Sequence, residues 1–426
     1  MVIRLDPRLS VRLLRFALIG LALSAAESHA APSLSLVDAQ RIASGDAPQI
    51  DAQAAVLRAA QQISLGAGEL PDPKLIVGID NVPIDGADKF NLTRDFMTMR
   101  KIGFMQDFTH AEKRQLRGDR ATAEVQKEAA ILSLTKLNLR RDVALAWIER
   151  YFAERQLDLL KALSRESELQ VTAALALLAG GKGQAADPFS ARMAVAQLGD
   201  RITEAERNVT RAQANLSRWI GTSARQPLDA APSFDQLTHP QPEIRNNLDA
   251  HPQLAMYASL ETMAATEMKL ADAARRPDWS LEVAFAQRGP AYSNMLSIGV
   301  RIDLPIFQSR RQDPAVASKV ALIEQVRAQA EDARRAHVAE IEIMLADWNA
   351  AKARLQRYAD ELLPLAHERT EMTLASYRGG KSELAPVLDA RKSEIETRLN
   401  HLQAHGELAR AWAQLNFLLP YNKDSQ

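Results

Sequence analysis

The stretch most suggestive of chemistry is YRGGKSELAPVLDAR, residues 377–391. Residues 380–382, GKS, match the last three residues of the phosphate-binding loop motif. In that loop, backbone amides and a lysine hold nucleotide phosphates. That loop also requires a glycine five residues before Gly380, and the residue there is Ala375. The sequence therefore argues against a nucleotide site. The paired glycines Gly379 and Gly380 predict a break between two helices, because glycine readily adopts the left-handed conformation that ends a helix.

Other residue types that could carry chemistry form no constellation. No Ser-His-Asp set, glycosidase carboxylate pair or HExxH motif is present, and the absence of cysteine excludes disulfides and thiolate sites. The histidines show no metal-ligand spacing, and we expect them at the surface: His110, His239, His251, His337, His367, His401 and His405. We therefore predict neither a metal site, nor a cofactor, nor an enzyme.

The charge balance and the N-terminal residues indicate which partners and which location to expect. The 53 basic and 53 acidic residues balance, which argues against a nucleic-acid partner. Residues 1–30 combine basic residues, the apolar run FALIGLALSAA and the small-residue sequence SHA, as a secretory signal peptide does. A membrane anchor is the less favoured alternative, because the apolar run is short. We expect a secreted chain.

The remaining chain contains two copies of one unit. Pro48 and Pro73 recur 204 residues later, Gly103 recurs after 196 residues, and AGGKGQAADPFSAR recurs as RGGKSELAPVLDAR after 199 residues. Three similar offsets in one order indicate a preserved unit with loop insertions. We predict a first repeat at 31–221, a linker at 222–241, a second repeat at 242–420 and a tail at 421–426.

Each repeat is predicted to contain helix, two short strands, a very long helix, a break and another helix. The strands alternate apolar and polar residues, most clearly in DWSLEVAFAQ and NMLSIGVRIDLP, and are long enough for tilted strands to cross a bilayer. Residues 111–178 contain no proline, which predicts a helix with two apolar seams and a neighbour on each side. Pro364 should interrupt the corresponding helix of the second repeat.

Four strands with an apolar face are too few to close a sheet in lipid, where an open edge leaves backbone groups unpaired. Closure therefore requires several chains.

The duplicated strand–strand–helix order and YRGGKSELAPVLDAR resemble the TolC family of outer-membrane efflux channels over essentially the whole mature chain. The short length and the stretches DPKL and DLPIF resemble its heavy-metal branch. The resemblance implies a mainly α fold with a small β part. It implies a homotrimer in which an α-barrel continues into a transmembrane β-barrel of twelve strands, four per chain. It also implies an outer-membrane exit duct that extends into the periplasm. Its expected partners are a periplasmic adaptor, an inner-membrane pump of the RND type and outer-membrane lipid.

The resemblance also assigns roles at the two turns. Asp187 and Asp389 match acids that constrict the closed tip, and Tyr377 matches a tyrosine that latches it. The position six residues after Gly380, where the family has an acid, is Pro386. For Asp187, the N-cap of a helix before Pro188 is an equally good interpretation. Small residues would receive the adaptor, and the candidates are Gly180, Gly181, Gly379 and Gly380.

Two other function classes compete with the duct. A periplasmic adaptor or coiled-coil scaffold also carries long helices after a signal peptide, but it explains neither the repeat nor the membrane-length strands. A secreted enzyme has no supporting constellation.

Overall fold

The structure, a computed structural model, describes residues 33–181, 183–248 and 251–419. The predicted signal peptide at 1–30 and tail at 421–426 lie outside the described residues. The described chain packs as two compact units. We call Ala146–Ser233, Thr373–Asp389 and the described part of Met1–Ala43 the turn unit, and Ser44–Leu145, Phe234–Met372 and the described part of Ala390–Gln426 the sheet unit. Each unit contains segments of both sequence repeats.

The elements follow the same order in both halves of the chain. The first half contains α1 (Leu36–Gly45), α2 (Pro48–Gly66), β1 (Lys74–Asp80), β2 (Met99–Phe108), α3 (Ala111–Ala179) and α4 (Asp187–Ile220). The second half contains α5 (Gln241–Asn246), α6 (Pro252–Ala273), β3 (Trp279–Gln287), β4 (Met295–Ile302), α7 (Gln308–Arg357), α8 (Leu363–Arg378) and α9 (Leu384–Asn416). Among the described helices, none combines the length and apolar character needed to cross a membrane.

A π-helical turn at Tyr358–Leu362 separates α7 from α8. Pro364 is the second residue after this turn. It lacks the N–H that would bond to the carbonyl four residues earlier, and its ring crowds that carbonyl. The predicted interruption at Pro364 is confirmed, and its form is a π turn.

The sheet unit contains one antiparallel sheet in the order β1-β2-β3-β4. Its registers align apolar side chains into rows that cross all four strands, such as Leu75, Phe104, Val283 and Ile298. All four are exposed. The opposite face carries small and charged residues, and Lys101 Nζ lies 2.6 Å from Glu282 Oε1 there. The sheet thus has one apolar, exposed face and one polar face, as the alternation predicted.

In each unit, a tryptophan side chain binds the backbone of a segment that precedes a short helix, α1 in the turn unit and α5 in the sheet unit. In the turn unit, Trp147 Nε1 donates to the carbonyl of Leu34 at 3.0 Å. In the sheet unit, Trp348 Nε1 donates to the carbonyl of Phe234 at 3.1 Å. Both bonds are buried, so they satisfy carbonyl groups that would otherwise be unpaired away from water.

Candidate functional site: the paired helix turns

The turn between α8 and α9 is a Schellman motif. The N–H of Lys381 donates to the Ser376 carbonyl at 3.0 Å, and the N–H of Gly380 donates to the Tyr377 carbonyl at 2.9 Å. Gly380 has φ +68°, the left-handed conformation that this motif requires. The GKS letters therefore belong to a helix end, because the glycine terminates α8 and the next residues start α9.

The turn between α3 and α4 has the same geometry at its glycine. Gly181 has φ +71°, and its N–H donates to the Leu178 carbonyl at 3.0 Å. The sequence offset of 199 residues therefore relates two turns of matching backbone conformation, both in the turn unit.

Asp187 is the first residue of α4, and Ala186 occupies the N-cap position. Its Oδ2 accepts the backbone N–H of Gln184 at 3.1 Å, while its own N–H donates to the Gln184 carbonyl at 3.1 Å. Asp187 thus closes the turn that leads into the helix. The N-cap interpretation is wrong by one position, because Asp187 is the first residue inside the helix. A carboxylate in the first helical turn is still favoured by the helix dipole.

Glu383 is a carboxylate at this site that the sequence reasoning missed. The side-chain amide of Gln184 donates from Nε2 to Glu383 Oε1 at 3.3 Å, and the two residues are 199 apart. Gln184 therefore contacts one carboxylate through its backbone and a second through its side chain. The repeat offset pairs Gln184 with Glu383, whereas the carboxylates predicted from the sequence came only from the acidic positions of the resembled family.

Pro386, the repeat counterpart of Asp187, is the third residue of α9. A proline is tolerated in the first turn of a helix, because its missing N–H would have no intrahelical partner there. Asp389 follows on the next turn of α9 and is exposed. The acid absent from position 386 is thus replaced by a residue that helps to start the helix.

Tyr377 packs at the base of the second turn against a buried cluster of Ala174, Leu384 and Val387. Its Oη is buried and has no hydrogen-bond partner among the described residues. Burial raises the pKa of Tyr377, and the negative charge of Asp187 raises it further. The tyrosine is therefore neutral at physiological pH, and its visible contribution is apolar packing.

Three histidines contradict the expectation that all of them lie at the surface. His239, His251 and His337 are buried. The rings of His251 and His337 lie 4.1 Å apart, and His251 Nδ1 accepts the N–H of Gln253 at the start of α6. Burial, with His337 and Arg141 nearby, lowers the pKa of His251 to about 4. Across the described residues, no group of three or more histidine, cysteine or carboxylate residues could hold a metal ion.

Residues 244–419 match the family model described as "Outer membrane efflux protein". The matched segment comprises most of the second repeat, and the first repeat has the same order of elements. This part of the chain is therefore similar to outer membrane efflux proteins. The predicted resemblance to TolC-type outer-membrane efflux proteins is therefore confirmed.

Similarity to known proteins extends beyond this segment along the chain. The cobalt-zinc-cadmium resistance protein CzcC of Cupriavidus metallidurans is 23% identical over 316 residues, which cover 70% of this chain and 72% of that protein. The structure of CusC has a TM-score of 0.78 at 14% identity, covering 92% of this chain and 94% of its own. VceC of Vibrio cholerae, an outer membrane protein, has a TM-score of 0.75 at 17% identity, covering 91% and 97%. The mainly helical fold with a small antiparallel sheet is thus shared across nine-tenths of the chain.

Proposed function

We propose that this protein is the outer-membrane exit duct of a tripartite efflux system. It conducts substrates passively from a periplasmic adaptor and an inner-membrane pump of the RND type to the exterior. The four-stranded sheet carries the proposal, because its apolar rows are exposed and its other face is polar. Each outer strand, β1 and β4, also has one edge with no partner strand among the described residues. Such a sheet suits lipid on one side and water on the other, provided that it closes.

Closure requires further copies of the chain. Three copies would supply twelve strands for a transmembrane barrel, and the long helices would form an α-barrel that extends from it into the periplasm. Outer-membrane lipid would contact the exposed rows, which include Val77, Ile102 and Phe285. Cell fractionation tests this arrangement: the protein should be recovered with outer membranes as an oligomer on unheated gels, and recovery as a soluble periplasmic monomer would refute it.

The paired turns are the proposed gate and adaptor contact. In a trimer, Asp187 and Asp389 would each occur three times around the axis, and Glu383 would add a third set of carboxylates. Gly180, Gly181, Gly379 and Gly380 would let helices of the adaptor approach closely, because they lack side chains. Tyr377 would hold the turn closed through its contacts with Leu384 and Val387.

Single-channel recording tests the carboxylate assignment. Asp187→Asn and Asp389→Asn should weaken block by di- and trivalent cations, because each removes three negative charges from the constriction. Asp200→Asn is the matched control, since Asp200 is an exposed carboxylate further along α4. Block that is unchanged in the first two variants would rule out their role in the gate.

The role of Tyr377 is tested by the pair Tyr377→Phe and Tyr377→Ala. The phenylalanine variant should behave like the parent, because the hydroxyl makes no hydrogen bond to a described residue. The alanine variant should open more often, because it loses packing worth about 2 kcal/mol at a half-buried site. If the phenylalanine variant opened as often as the alanine variant, the hydroxyl group and not the packing of the ring would hold the turn closed.

We propose divalent metal cations as the cargo, on the strength of the relative named for cobalt, zinc and cadmium resistance. Growth tests the cargo separately from the duct. Cells that lack this protein should become more sensitive to these metals than to organic drugs. The reverse pattern would retain the duct and reject the metal cargo.

A further inference from the structure

The two repeats meet inside the sheet through β2 and β3. Their antiparallel register places Phe104 opposite Val283 and Gly103 opposite Ala284. The outer strands β1 and β4 each have only one partner strand in the described chain. One edge of the sheet therefore belongs to the first repeat, and the other edge belongs to the second.

The sequence offsets relate these edges to the junction at the centre. β4 is the counterpart of β2 at an offset of 196 residues, because Gly299 corresponds to Gly103. β1 is the counterpart of β3 at an offset of 204, because Pro73 corresponds to Pro277. A pairing of β4 with β1 from another copy would thus repeat the observed pairing of β2 with β3.

We propose that β4 pairs antiparallel with β1 of a second copy of this chain, with Val300 opposite Ile79 of the partner subunit. This register is the β2–β3 register transferred by the two repeat offsets, because Phe104 corresponds to Val300 and Val283 to Ile79. The inference rests on the proposed duct, and it adds to that proposal the position of every residue along the subunit interface.

The side chains on both faces agree with this register. Val300 and Ile302 lie opposite Ile79 and Val77, so the interface continues the exposed apolar face. On the polar face, Arg301 lies opposite Gly78 of the partner subunit. A shift by one residue would place apolar side chains on the polar face, whereas the proposed register keeps both faces intact.

Arg301 also favours this edge as a junction between copies. Its side chain is 67% exposed, and its Nη2 lies 3.8 Å from Glu282 Oε2, at the limit of an ion pair. In the proposed register, Asp80 of the partner subunit occupies the diagonal position on the same face, within reach of a long side chain. Asp80 is exposed within the single chain. A cation on one edge therefore meets an anion on the other.

Closure of twelve strands restricts the register further. The row that starts at Leu75 and passes through Phe104, Val283 and Ile298 would reach Asn81 of the partner subunit. Because residue 81 lies six positions after residue 75, each chain shifts the register by six residues. Three such shifts, at ~3.3 Å per residue and ~4.8 Å per strand, correspond to a strand tilt of about 45°. Outer-membrane barrels have tilts of about 35–45°. Placing Val300 opposite Asn81 would raise the tilt to about 55°, outside this range. Placing it opposite Val77 would lower the tilt to about 35°, at the edge of the range, so closure argues against the Asn81 register only.

The helices that precede β1 and β3 in the chain differ in the same way as these strands. On α6, residues seven apart form a buried stripe: Pro252, Ser259, Thr266 and Ala273. Their counterparts on α2 are exposed: Pro48, Ala55 and Gln62. No residue of α2, which the structure describes in full, is buried. Within the described residues, α2 and β1 of the first repeat thus each lack a neighbour that their counterparts α6 and β3 have.

Disulfide cross-linking tests the register directly, because the chain contains no cysteine. The double variant Val300→Cys/Ile79→Cys should form covalent trimers in oxidised outer membranes that reducing agent dissolves. Directly opposed strand residues have Cα atoms within disulfide range, whereas diagonal pairs lie ~7–8 Å apart. Val300→Cys/Val77→Cys and Val300→Cys/Asn81→Cys probe the neighbouring registers on the same face. Their yield should be lower by roughly an order of magnitude.

The outcomes separate this inference from the duct itself. Preferential linking through Val77 or Asn81 in an oligomeric protein would overturn the register and leave the duct intact. An oligomer in which no pair links would overturn the β4–β1 interface. If the cysteine-free parent were monomeric on unheated gels, the proposed duct would fail, and this inference would fail with it.

Discussion

The neighbouring residues Gly379 and Gly380 have different backbone conformations. Gly380 has φ +68° and open space where a Cβ would lie. A Cβ on Gly379 would lie 3.4 Å from the Ala375 carbonyl oxygen, an ordinary contact, and its φ is not in the left-handed region. The helix end therefore requires glycine at position 380 for conformation, whereas position 379 tolerates a small side chain.

Gly380→Ala should destabilise the turn by about 1 kcal/mol, because a Cβ penalises the left-handed conformation. Gly379→Ala should change stability little, and it is the matched control. Hydrogen exchange at the ends of α8 and α9 reports local opening of the turn. Equal exchange in the two variants would contradict the conformational argument.

His251 makes the stability of the sheet unit depend on pH, and the direction of this dependence follows from its pKa. In the folded chain its pKa is lowered to about 4, whereas an unfolded histidine has a pKa of about 6.5. The folded state therefore binds fewer protons between these values. Its stability is complete above about pH 6.5 and falls by roughly 2 kcal/mol as the pH approaches 4, after allowance for partial solvent screening.

His251→Asn should flatten this dependence, because asparagine retains an acceptor at the start of α6 but does not titrate near pH 5. Thermal unfolding of the detergent-solubilised protein at pH 7 and pH 4.5 measures the difference. His110→Asn is a control, since His110 is half-buried and contacts no histidine ring among the described residues. A steep pH dependence that persists in His251→Asn would show that another group causes it.

At the scale of elements, alternation and helix breakers predicted most of the fold. The apolar residues of β3 and β4 alternate without interruption, so both strands were predicted closely, and Pro364 marked the boundary that became a π turn. The burial of His251 and His337 was missed, because it depends on α6 meeting α7, which no local pattern records. Glu383 was missed for a similar reason: its contact with Gln184 joins residues 199 apart.

The junction between β2 and β3 depends on close approach of the two strands. A Cβ on Gly103 would lie 2.7 Å from the Ala284 Cβ and 2.8 Å from the Val283 oxygen, so one strand would have to move. Gly103→Ala should therefore lower the temperature at which the oligomer dissociates on gels. Gly118→Ala is the control, because Gly118 lies in α3, away from the sheet's strands, and nothing lies within 4 Å of its Cβ position. Equal dissociation temperatures would show that the junction is not tightly packed.

At the scale of the whole molecule, one sequence duplication accounts for both candidate sites. The copies supply two turns of matching conformation in the turn unit, and two hairpins that form one sheet in the sheet unit. Neither compact unit corresponds to one repeat, since each contains segments of both. A single copy of the unit would have one turn and one hairpin, too little for either a gate or a sheet.

Planar-bilayer recording of the purified protein tests the central claim most directly. An exit duct should insert as an oligomer and produce stepwise, reproducible conductance that multivalent cations block from the side of the paired turns. A folded oligomer from outer membranes that inserts into the bilayer yet carries no current under any cation condition would contradict the account.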